Sequence, residues 1–130
     1  MAAPAVRFPD ATLLATTYLR PLLAPVHVGS QVPRERPVEM VLLRRLGGPR
    51  RNPIVDDARI DVQVWAADDP RASELAETAR YYLARICEHV PEVRVSTEET
   101  GPTLIPDAPS DVPRALMTVV LSVRGAVPTP

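Results

Sequence analysis

The stretch Val38–Ala66, VEMVLLRRLGGPRRNPIVDDARIDVQVWA, decides the fold. Its last eight residues alternate without a break, with Ile60, Val62, Val64 and Ala66 on one side and Arg59, Asp61, Gln63 and Trp65 on the other. A period of two is the mark of a strand with one buried face. Residues 38–46 are also rich in β-formers, placing Val38, Met40 and Leu42 on one face and Glu39, Val41, Leu43 and Arg45 on the other. Gly47-Gly48-Pro49 breaks that run and Arg50-Arg51-Asn52-Pro53 continues the break. Together they read as an antiparallel hairpin with a long, mobile tip.

Toward the N-terminus, Pro9-Asp10 opens a helix, with Asp10 placed to cap the free amides of the first turn. Leu14, Tyr18 and Leu22 recur at spacing four beside Leu13 and Thr17, which gives one apolar face. Pro21 and Pro25 are expected to end this helix, so it should run from about Asp10 to Arg20. Residues 21–37 carry five prolines or glycines and read as connecting chain, with a short extended piece at Val26–Val28.

Toward the C-terminus, Asp68-Asp69-Pro70 opens a second helix. Ala72, Leu75, Ala76, Ala79, Tyr82, Leu83 and Ile86 form its buried stripe, and Pro91 closes it after His89. Val93–Glu99 alternates again, residues 100–114 read as a loop, and Ala115–Arg124 is a last strand with Met117, Val119, Leu121 and Val123 inward. The order helix, strand, strand, helix, strand, strand predicts an α+β two-layer sandwich. It would hold an antiparallel sheet of about four strands with both helices on one face. One domain is expected over 1–130, with a core at 10–126 and loose termini at 1–8 and 127–130.

Composition narrows the function. The net charge is −1, which argues against a dedicated nucleic-acid binder. All 15 basic residues are arginine, consistent with a GC-rich source genome and with bidentate contacts to carboxylates. No apolar run approaches the roughly 20 residues of a membrane span, and no apolar core follows Arg7, so a soluble intracellular protein is expected.

Catalytic arrangements are missing from the pattern. His27 lies in the proline-rich connection, and His89 sits at a helix C-terminus, where a cation is favoured by the dipole. Cys87 and His89 are two residues apart on a helix and point apart. One cysteine and two histidines make no zinc set, and no cofactor motif is present. Asp68-Asp69 is explained by capping, Glu98-Glu99 points to opposite faces of a strand, and Asp56-Asp57 is expected to be solvated. An enzyme is not expected. The basic cluster Arg44, Arg45, Arg50 and Arg51 around Gly47-Gly48 is either a solvated loop or a contact surface for an acidic partner or passing DNA. Trp65, on the polar side of its strand, is either covered locally or marks an interface.

The stretch Val41–Asn52, followed by Val55-Asp56, the strand ending Val64-Trp65-Ala66, a helix with Ala76 and Ala79, and the closing Val119–Gly125, resembles the tail-terminator (tail-completion) proteins of long-tailed actinobacterial phages and prophages. The resemblance spans roughly residues 10–126. It implies a virion-tail protein, assembled in the host cytoplasm, that forms a ring, typically hexameric, on the head-proximal end of the tail tube. The ring would stop tube polymerisation and offer a surface to the head–tail connector. Its partners would be other copies of itself, the tube protein and the connector, with non-specific contact to passing DNA and none to membrane. Carried onto this chain, Arg44, Arg45, Gly47, Gly48, Arg50, Arg51 and Asn52 would face a partner, with Arg59, Asp61, Gln63 and Trp65 as a second interface set. A connector or stopper ring protein, or a small nucleic-acid-binding module using the arginine hairpin, are the alternatives.

Overall fold

A computed structural model describes residues 6–127. Residues 1–5 and 128–130, within the termini expected to be loose, lie outside the described residues. The elements are α1 (Ala11–Leu23), β1 (His27–Gly29), β2 (Met40–Arg45), β3 (Arg50–Asn52), β4 (Val55–Trp65), α2 (Asp69–Ala84), β5 (Val93–Leu104) and β6 (Arg114–Arg124), with a 3₁₀ turn at Ile86–Glu88. The sheet runs β1-β2-β4-β6-β5, and β3 adds to β4.

The fold is the α+β sandwich that the alternation indicates, with six strands rather than four. β4 and β6 form its spine, paired antiparallel from Val55↔Arg124 to Trp65↔Arg114. β1 is the exception in direction, lying parallel to β2 through His27↔Met40 and Gly29↔Leu42. Its three residues are too short to show a period, which is why the sequence gives only a hint of it.

One face of the sheet carries the core. Val41 and Leu43 of β2 align with Val64 and Val62 of β4, which in turn face Ala115 and Met117 of β6. All six are buried beneath α1 and α2. So of the two faces of β2, the one holding Val41 and Leu43 meets the helices. Met40 and Leu42 turn to the other side and join Trp65 and Val112 in a small second cluster.

Helix α1 continues through Pro21 to Leu23, three residues beyond the expected end. Proline removes one hydrogen bond near the last turn, but Leu23 is buried in the core and holds the chain helical. Its inward stripe is also different: Ala11, Ala15, Leu19 and Leu23 are buried, whereas Leu14 and Tyr18 are partly covered and Leu22 is exposed. Both stripes have spacing four. The small alanines go inward because they let the helix approach the sheet closely. In α2 most of the expected inward stripe is buried, Ala72, Leu75, Ala76, Ala79 and Leu83, while Tyr82 is half-buried and Ile86 is buried in the 3₁₀ turn beyond the helix. Asp68 caps Arg71 N–H at 2.8 Å. The α-helix itself stops at Ala84, and the 3₁₀ turn completes the segment expected to be helical to His89.

Strand β5 runs to Leu104, five residues past the expected Glu99, so the loop before β6 shrinks. Pro102 is tolerated because β5 is an edge strand, where an amide facing solvent is not needed by the ladder.

Candidate partner interface

The arginine hairpin is not the long mobile tip that its glycines suggest. Leu46 N–H donates to Arg59 O at 2.8 Å, Arg59 N–H to Gly47 O at 3.1 Å and Asp57 N–H to Pro49 O at 3.1 Å. The ladder therefore passes straight through Gly47-Gly48 from β2 into β3. The pairing slips by one residue at Gly47, which is a β-bulge. Gly47 and Gly48 adopt φ of +82° and +92°, a left-handed conformation that residues with a Cβ avoid. A Cβ on Gly48 would also lie 2.1 Å from Asp57 O. The reversal comes later, at Asn52, whose side-chain Oδ1 accepts from both Ile54 N–H and Val55 N–H at 2.9 Å. This Asx-type turn starts β4 at Val55, four residues before the alternating run begins.

Once β4 starts there, Asp56 and Asp57 are strand residues on opposite faces. Asp56 is 6% exposed, against the expectation that it is solvated. Arg45 reaches it with both terminal nitrogens, at 2.7 and 3.0 Å, and donates from Nε to Gly47 O at 2.8 Å. That fork closes the bulge onto β4. Asp57 accepts from Ser122 Oγ at 2.7 Å and from Arg51 Nε at 2.9 Å, and both donors hold its carboxyl below the usual aspartate range. Arg50 stacks over Phe8 with its guanidinium carbon 5.0 Å from the ring centre. Arg44 is exposed and has no ion-pair partner among the described residues. The four arginines thus divide: Arg45 and Arg51 build the hairpin, and Arg44 and Arg50 face outward.

The sheet face turned away from the helices brings the second set together. Arg44 stands opposite Asp61, Arg59 opposite Val120, and Gln63 opposite Leu116. Gln63 Nε2 donates to Asp61 at 2.7 Å, and Arg59 forks onto Glu99 of β5 at 2.7 and 3.0 Å. Trp65 lies apart from them. It is 5% exposed, its indole N–H donates to Asp107 at 3.0 Å, and the segment 105–113 covers it. Local cover, rather than free exposure, is the state of Trp65 in this chain.

A surface that sequence reasoning missed is the channel between α1 and the end of α2, about 640 Å³ in volume. Leu13, Leu22 and Tyr81 line it and are 59%, 41% and 57% exposed. Tyr18 crosses its floor, donating to Tyr82 O at 2.9 Å and stacking on His89. Burial raises the Tyr18 phenol pKa above its usual range. His89 therefore has a packing role, and His27 lies elsewhere, in β1. No cluster of three metal-ligating side chains occurs among the described residues, and no helix is long and apolar enough to cross a membrane.

Residues 7–130 match the family described as phage tail termination protein, close to the whole chain. The chain belongs to that family. As a tail termination protein it is a component of phage tails, with the tail tube and head components as the partners this membership implies. No curated protein matches the chain. For a terminator, the features that matter are surfaces that other proteins can hold. The bulged hairpin, the uncovered sheet face and the helix channel are those that this fold exposes.

Proposed function

We propose that copies of this chain close into a ring, hexameric as in the resemblance drawn from the sequence, on the head-proximal end of a finished tail tube. The ring ends polymerisation by covering the last tube subunits and presents its other side to the head–tail connector. Assembly takes place in the host cytoplasm. The protein acts by contact and carries out no reaction. The observation that supports this reading is the one-sided sandwich: both helices cover one face of the sheet, and the other bears a row of exposed or half-exposed polar side chains, Arg44, Arg59, Asp61 and Gln63. A closed ring is the ordinary outcome of head-to-tail association that rotates by a fixed angle.

Tail length measured by negative-stain electron microscopy, in particles made with the gene silenced, tests it. Over-long tubes without heads are the expected result. Normal-length tails detached from full heads would move the protein to the connector, and unchanged particles would remove both readings. Pairing of Arg45 and Arg51 with Asp56 and Asp57 lowers the positive field of the hairpin. That weakens the alternative of a DNA-binding module, which would require steeply salt-dependent affinity in the isolated chain.

A further inference from the structure

The net charge of −1 hides a polarity across the sheet. Between Ala24 and Asn52, the segment that holds β1, β2 and β3, six arginines stand against Glu35 and Glu39. Between Asp69 and Leu104, which holds α2 and β5, seven carboxylates stand against four arginines. The strand order puts β1 and β2 at one end of the sheet and β5 at the other, and α2 packs chiefly on β5. Four strand-to-strand steps of roughly 4.8 Å place the outer strands about 19 Å apart.

Local pairing does not erase the polarity. On the arginine edge, Arg45, Arg51 and Arg36 are matched by Asp56, Asp57 and Asp107. Arg34, Arg44 and Arg50 are exposed with no carboxylate at ion-pair distance among the described residues. On the other edge Arg80 is shared by Glu77 and Glu98 and leaves one carboxylate in surplus, Arg85 and Arg59 pair with Glu88 and Glu99, and Arg71 joins Glu74 to Glu39 of the first segment. Glu74 and Glu77 have side chains 70% and 58% exposed. Charges that merely keep sheet edges apart need not differ in sign from one edge to the other.

We propose that neighbouring copies join through these edges, the arginine edge of one copy seating on the carboxylate edge of the next. This rests on the ring reading above and names its subunit contact. A two-fold contact through either edge would set like charges together, whereas a head-to-tail contact matches them at every junction. Three register shifts and Pro102 interrupt the β5 ladder, so side chains carry the contact rather than a sheet continued from copy to copy. Arginine suits this because its planar fork binds a carboxylate through two hydrogen bonds.

Two full-length variants test the contact. R34E/R44E/R50E carries acid on both edges, and E74R/E77R carries base on both. Sedimentation velocity in low salt is expected to show that each variant alone associates less than the parent. An equimolar mixture should associate at least about tenfold more tightly than either variant alone, and about 0.5 M salt should abolish the gain. Equal association of the variants alone and mixed would overturn the proposal, as would self-association unchanged from the parent. Melting curves matching the parent confirm that the variants fold. Should one melt early, R34Q/R44Q/R50Q and E74Q/E77Q replace the pair, and each must then weaken association for the proposal to stand. Over-long tails on silencing combined with a failed mixture would overturn the edge contact alone. Normal tails with a successful mixture would overturn the terminator reading alone.

Discussion

Replacing Gly48 with alanine tests how the bulge is held. The added Cβ would lie 2.1 Å from Asp57 O and 2.8 Å from Arg59 N, both main-chain atoms of β4. Neither can swing aside as a side chain would, so the two strands must part locally. The left-handed φ of +92° adds its own cost. Forcing a residue with a Cβ into that region costs about 1–2 kcal/mol, and overpacking typically adds ~1–3 kcal/mol. The expected loss is therefore about 2–5 kcal/mol, a large share of the ~5–15 kcal/mol that holds a domain folded. Gly47 is the internal control. Its φ is +82°, yet a Cβ there meets nothing within 4 Å. Gly47→Ala should cost only the backbone share, about 1–2 kcal/mol. Urea unfolding followed by circular dichroism measures both, with the denaturant slope expected to stay constant. Equal losses at the two glycines would refute the argument that close approach to β4 is what demands glycine at position 48.

Three further outcomes are expected. Arg45→Ala leaves the buried Asp56 without its fork and should cost roughly 2–4 kcal/mol, whereas Arg44→Ala should stay within about 0.5 kcal/mol, as urea midpoints will show. Asn52→Ala removes the acceptor of the turn and should lower stability by ~1–2 kcal/mol in the same assay, with Asn52→Asp retaining most of it. The third outcome concerns pH. Glu39 and Glu98 are held low by Arg71 and Arg80, Asp57 by Ser122 and then Arg51, and Asp107 chiefly by the Trp65 indole. With folded pKa values depressed, their contribution is full above the unfolded values of 3.8 and 4.5 and is lost as pH falls through the folded ones. The melting temperature should hold from about pH 7 to about pH 5 and fall below about pH 4, and a flat profile to about pH 3 would count against these pairs.

The sequence carries the class of the fold because Ile60, Val62 and Val64 alternate cleanly and α2 keeps an unambiguous stripe. It misjudges α1 because two stripes of spacing four compete, and only contact with the sheet selects the one with alanines. It shortens β5 because Gly101-Pro102 is a breaker anywhere except on an edge, and the edge position is a property of topology. The arginine hairpin is visible as a cluster, but its division into structural and outward residues depends on the Gly47 bulge. That bulge sets the register that brings Asp56 under Arg45. Trp65 could not be resolved from its strand alone, since its cover comes from residues 105–113, forty or more positions away.

That cover has a practical consequence. Trp65 is the sole tryptophan of the chain, and the guanidinium carbons of Arg36 and Arg114 lie 5.5 and 5.9 Å from its ring centre. Its fluorescence emission is therefore an optical gauge of one seam, where the strap before β6 and the loop before β2 close over the sheet. Lifting that strap wets the indole and removes its carboxylate partner while the core beneath the helices remains dry. A red shift that precedes the loss of helical signal would then time the opening of this seam, separately from the unfolding of the domain.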